Sequence, residues 1–143
     1  MIRNLTRQTL LSQKTCYARG LLMRGRGMIG RRFGDFDAMV FESCSMIHTC
    51  FMSISLDVCF LDRGNRILLL KSSLPPWVPA VSCRGAVTVV ELPEGTAERT
   101  ETREGDLLDL SAELSSEYLL GKHTTEKLIQ TPETYIPFGE HKE

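Results

Sequence analysis

The sequence has no apolar run of membrane-spanning length. Its longest uninterrupted stretches, such as residues 58–61 and 67–70, fall far short of the ~20 residues that cross a bilayer as a helix. The opening residues, Met1-Ile2-Arg3-Asn4-Leu5-Thr6-Arg7-Gln8, lack the basic start, apolar stretch and small-residue cleavage site of a secretory leader. The expectation is a cytoplasmic protein without a membrane span. Aromatic residues are few, 7% of the chain with a single tryptophan. With a pI near 6.3 this gives no basis for a nucleic-acid partner. A regular disulfide framework is also missing. Cys16, Cys44, Cys50, Cys59 and Cys83 are odd in number and irregular in spacing, so they read as reduced thiols.

Acidic residues are absent from positions 1–34, which carry eight Arg or Lys, whereas positions 91–143 carry thirteen acids against five bases. The basic segment reads either as an anion-binding patch of Arg19, Arg24, Arg26, Arg31 and Arg32, whose interspersed glycines allow close backbone approach, or as charge that meets the acidic end or stays solvated. The second is taken, because charge runs on a surface are weak evidence of function. The glycine-rich residues 25–34 contain no Gly-Lys-Ser/Thr ending and follow no βαβ pattern, so they fit neither a P-loop nor a dinucleotide fingerprint.

What the sequence does have is one domain's worth of apolar residues, 42% of 143, patterned mainly as short strands. Strands are expected over residues 4–11, 38–41, 45–53, 56–62, 66–72, 86–92 and 107–110, with a helix over 15–24 and a helical turn ending at Arg99. Asp62-Arg63-Gly64-Asn65 places Gly and Asn where a hairpin wants positive φ, so 56–62 and 66–72 should pair antiparallel. Pro75, Pro76 and Pro79 keep Trp77 out of any central strand. A short helix over 112–120 and a polar tail to Glu143 should follow a β-rich domain ending near residue 110. The fold class is therefore a small antiparallel β-sandwich or barrel-like domain with one or two short helices.

Ala18-Arg19-Gly20-Leu21-Leu22, Cys44-Ser45-Met46-Ile47-His48-Thr49 with Met52, Asp57-Val58-Cys59-Phe60-Leu61-Asp62, Pro76-Trp77, Glu91-Leu92-Pro93-Glu94-Gly95-Thr96-Ala97 and Gly105-Asp106 follow one another in this chain. In that order they resemble domain-of-unknown-function family 192, a group of small prokaryotic proteins. The resemblance spans roughly residues 10–110. It implies a compact β fold with one or two short helices and carries no activity.

The segment richest in chemistry is 44–52. On a regular strand Cys44, Met46, His48, Cys50 and Met52 would share a face, a soft-ligand stripe suited to Zn or Cu through Cys44, His48 and Cys50, or else a core face. A catalytic reading would use His48 with a cysteine nucleophile and Asp57 as its orienting group, because Thr49 would face the other way. Asp57 could equally hold a turn. The reading taken is a non-enzymatic ligand-binding or interaction domain with no cofactor, its pocket formed by His48, Asp57, Trp77 and Arg19. Soft-metal binding is the alternative.

Overall fold

The computed structural model describes residues 1–110. Its centre is a five-stranded sheet built from β3 (Thr15–Tyr17), β4 (Ala38–Glu42), β9 (Thr88–Pro93), β6 (Leu56–Leu61) and β7 (Ile67–Leu74), in that spatial order. β4, β9 and β6 are the inner strands, and all six residues of β6 are buried. Val, Leu, Phe and Cys dominate them, as expected of strands covered on both faces. Alternation then sorts the side chains. Val40, Cys59, Leu61, Val90 and Leu92 point to one face, and Met39, Phe41, Val58, Phe60 and Val89 to the other.

The two faces are covered differently. Over the first lies a three-stranded sheet of β10 (Leu108–Asp109), β1 (Ile2–Asn4) and β2 (Thr9–Ser12), whose Ile2, Leu11 and Leu108 complete an apolar layer. Each such fully buried aliphatic side chain contributes roughly 1.5–3 kcal/mol. Over the second lie helix α1 (Gly20–Arg26), the glycine-rich turns after it, and a two-stranded ladder of β5 (Met46–Ile47) and β8 (Val81–Ser82) with its flanking loops. A four-residue helix, α2 (Thr96–Arg99), follows β9. The domain is mainly β with two short helices, and its sheets do not close into a barrel.

The central hairpin forms as expected, β6 against β7 and antiparallel. Asn65 takes φ +61° in its turn, and the Asp62 carboxylate accepts the N–H groups of Gly64 at 2.8 Å and Arg66 at 2.9 Å. The helical turn through Arg99 is present as well. Three local expectations are corrected. Residues 4–11 are not one strand: β1 and β2 are an antiparallel pair, with Gln8 at φ +59° in the turn between them. The helix over 15–24 is also wrong in its first half. Thr15, Cys16 and Tyr17 form β3, which runs parallel to β4, and the helix starts only at Gly20, whose φ of +78° turns the chain. A β-branched residue and an aromatic fit the pleated edge better than a helical turn. Third, the strand over 45–53 shrinks to Met46–Ile47. The expected helix over 112–120 and the tail lie outside the described residues.

Candidate functional site

In β9 the sequence Thr88-Val89-Val90-Glu91-Leu92 puts an acid at a position where alternation demands a core residue. Glu91 pairs with Met39 on one side and Val58 on the other, at the middle of the sheet face that α1 and β5 cover. Glu91 is 1% exposed, and its Oε2 has no hydrogen-bond partner among the described residues. Burial pushes its carboxyl from the ordinary 4.5 up to about 8, so at neutral pH it keeps its proton and presents an O–H. The position was legible as an oddity, an acid inside a Val-Val-x-Leu run, yet it entered the sequence reading only as part of a family motif.

Above Glu91 the covering elements leave a cavity of about 350 Å³. Helix α1 brings Leu21, Arg24 and Gly25 to its wall at the spacing that shares one helical face. Gly25 is exposed and lines the cavity, and a Cβ built on it meets nothing within 4 Å. The helix ends at Gly27, where φ is +49° and a Cβ would stand 3.5 Å from the ring of Phe41. Phe41, Ile47 and Met52 supply apolar wall, while Cys44, Met46 and His48 arrive from β5 and its flanks. A larger depression of about 480 Å³, bordered by Glu42, Arg63 and Thr88, holds no buried acid.

The expected site residues are dispersed. His48 is exposed and lines the cavity together with Cys44. Cys50 does not line it; its Sγ lies 3.8 Å from the Val78 carbonyl. Among the described residues no group of three His, Cys, Asp or Glu is placed to hold a metal ion. The one-faced stripe is lost because Thr49 folds the segment back. Its hydroxyl donates to the Pro75 carbonyl at 2.7 Å and accepts the Val78 N–H at 2.9 Å, and its carbonyl accepts the N–H groups of Met52 and Trp77. Asp57 is wholly buried on β6, its two oxygens accepting the N–H groups of Ser73 at 2.9 Å and Ala97 at 2.8 Å. It clamps β7 and the start of α2. Trp77 is 63% exposed, stacked edge to face on Phe51 at 4.9 Å and away from the cavity wall. Arg19 is exposed, its guanidinium 6.0 Å over the Tyr17 ring. Of the four pocket candidates, only His48 is on the wall.

The thiols are free, and Cys59 on the opposite sheet face is pushed up to about 12 by burial and then by the charges of Asp57 and Asp106, which makes it inert. No helix among the described residues is long and apolar enough to cross a membrane.

A model of the family DUF192, described as uncharacterized ACR, matches residues 5–110. No curated protein matches the chain. Among solved structures, a protein of unknown function from Novosphingobium aromaticivorans is similar at 22% identity and TM-score 0.59, over 66% of this chain and 73% of that one. A protein from Sinorhizobium meliloti, described as a candidate transcription regulator, is similar at 22% identity and TM-score 0.60, over 66% of this chain and 79% of its own. At that identity the likeness is one of fold.

Proposed function

The chain belongs to the DUF192 family through residues 5–110, and from its fold and the cavity within it we propose that it is a non-enzymatic receptor for a small molecule. The observation that carries the reading is Glu91, a buried acid that lines the cavity and whose Oε2 has no hydrogen-bond partner among the described residues. More than nine in ten buried polar groups find a partner in folded proteins. A ligand polar group at Glu91 would supply the missing one, and the apolar wall of Phe41, Ile47 and Met52 would hold the ligand body. Asp57, which a catalytic reading of His48 would recruit as its orienting group, is engaged with β7 and α2. Free thiols suit a reducing compartment, and both solved neighbours are bacterial, which supports a cytoplasmic, prokaryotic setting.

Gly25 gives the test, because a side chain there enters open space and replaces a poor helix former. Ligand-observed NMR on a library of small acids, alcohols, amides and amines should yield binders to the wild type that Gly25→Phe loses while its melting temperature holds. Binders that survive Gly25→Phe and vanish in Trp77→Ala would sink the reading. A soft metal, Zn or Cu, is the second reading, supported by Cys44 and His48 on the same wall. Stoichiometric metal by elemental analysis, lost in both Cys44→Ser and His48→Ala, would put it first.

A further inference from the structure

We propose that the Glu91 cavity selects a small anion with an apolar body, an organic carboxylate or phosphate monoester, held between the guanidinium groups of Arg24 and Arg26 and the Glu91 carboxyl. The proposal rests on the receptor reading and adds the class of ligand. Its basis is the charge on the wall. Arg24 and Arg26 are among the residues that line the cavity, and Glu91 is the one carboxylic acid among them. Among the described residues neither arginine has a carboxylate partner. Arg24 donates from Nη1 to the Glu42 carbonyl and from Nη2 to the Ser43 carbonyl. Arg26 donates from Nε to the Ile29 carbonyl at 3.2 Å. Backbone carbonyls hold these side chains in position without cancelling their charge, so both cations remain available to an anion, with part of the ordering cost already met by the fold.

Glu91 adds a second, independent requirement. Its Oε2 is buried without a hydrogen-bond partner among the described residues, and Glu91 is one of the residues that line the cavity. In its protonated form it donates to a ligand oxygen and adds no negative charge that would repel an anion. A cationic ligand would have to approach two guanidinium groups and ionise a buried acid. Besides the arginines, the other titratable residues that line the cavity are His48 and Cys44, and neither is a carboxylic acid. Fixed arginines recognise carboxylate and phosphate oxygens through charge-assisted hydrogen bonds, and the apolar wall excludes the most heavily hydrated anions.

The test compares four probes of one shape by titration calorimetry on the full chain at low salt: benzoate, phenyl phosphate, benzyl alcohol and benzylamine. Benzoate or phenyl phosphate should bind roughly tenfold or more tightly than benzyl alcohol, and added salt should weaken that binding alone. Which anion binds better separates a carboxylate from a phosphate ligand. Arg26→Gln should remove the advantage, and Arg24→Gln should do so independently, so that misfolding of one variant leaves the other informative. Glu91→Gln, which keeps a neutral polar group, should retain anion binding at pH 7. Benzylamine binding best, and lost in Glu91→Gln, would overturn the ligand class and leave the cavity as a site. The class also fails if none of the four binds while other Gly25→Phe-sensitive binders exist. If nothing binds in a Gly25→Phe-sensitive way, the receptor reading falls with it.

Discussion

The two faces of the central sheet are made by the same five strands and differ in what covers them. One is roofed by a second sheet, and the apolar layer between them, with Ile2, Leu61, Val90 and Leu92, is regular and fully buried. The other is roofed by a seven-residue helix, a two-residue ladder and glycine turns, and there the chain tolerates an open cavity and a buried acid whose Oε2 has no partner among the described residues. Under the sheet cover the buried acids Asp57 and Asp106 are met by hydrogen-bond donors. Irregular cover leaves gaps, and the groups that fit no packing rule sit beside them.

The largest expected effect tests this at Glu91. Its folded-state carboxyl titrates near 8 against an ordinary 4.5, so the folded state binds its proton more tightly than the unfolded state does. The native state is therefore penalised progressively as pH rises from about 4.5 to about 8. Glu91→Gln should stabilise the protein by roughly 3–5 kcal/mol at pH 8 and by almost nothing near pH 4.5, read from urea unfolding at each pH. Equal effects at both would mean that the acid is not buried in solution. On the opposite face the sign reverses. Leu61→Ala should cost roughly 2–5 kcal/mol with no pH dependence, because a dry layer cannot relax into the space left. A cost under 1 kcal/mol would show that layer to be as loosely packed as the other.

How much of this could be read from sequence follows the same division. The β6–β7 hairpin was legible because its turn chemistry is local: Asn65 supplies positive φ and Asp62 caps the turn. The inner strands were legible from their apolar residues. The 45–53 segment was not, because its alternation mimics a strand while Thr49, held by Pro75 and Val78 some thirty residues on, folds it away. Cys44, singled out as a metal ligand, and His48, singled out as a metal ligand and a pocket residue, both line the cavity, whereas Asp57 is a backbone clamp, as its alternative reading allowed. Arg24 and Arg26 were noted in a basic run that was set aside. No local pattern tells a solvated arginine from one tied to a carbonyl at a cavity wall. Glu91 carried the one usable signal, an acid in a buried strand.

A smaller effect belongs to the sheet-covered side, where polar groups are buried only with full satisfaction. The Asp106 carboxylate accepts from Asn4 at 2.8 Å, from Arg7 Nε at 3.1 Å and from the Arg103 N–H at 2.9 Å. Burial would raise its pKa, but these hydrogen bonds and the Arg7 charge outweigh it and hold the group below the ordinary 3.8. Its contribution is thus fully present above pH ~4 and lost as the pH falls through the lowered value. Asp106→Asn should cost roughly 1–3 kcal/mol at neutral pH and flatten the acid limb of the stability curve below pH 4. An unchanged acid limb would assign that limb to other carboxylates, Asp37 first, since it is also held low.

The smallest effect concerns strain on the irregular side. Phe51 at φ +64° and Trp77 at φ +68° both take the left-handed conformation that side chains disfavour, and their rings meet edge to face at 4.9 Å. Such a pair contributes roughly 0.5–1.5 kcal/mol, while each left-handed residue costs roughly 1–2 kcal/mol that glycine would not. Trp77→Ala removes the ring contact and keeps the strain. Trp77→Gly removes both, so the glycine variant should be the more stable of the two by about 1 kcal/mol, reversing the usual order. Urea midpoints of the two variants decide it. An alanine variant at least as stable as glycine would mean that the Trp77 backbone is not left-handed in solution, and that the loop stapled by Thr49 is less firmly held than its hydrogen bonds imply.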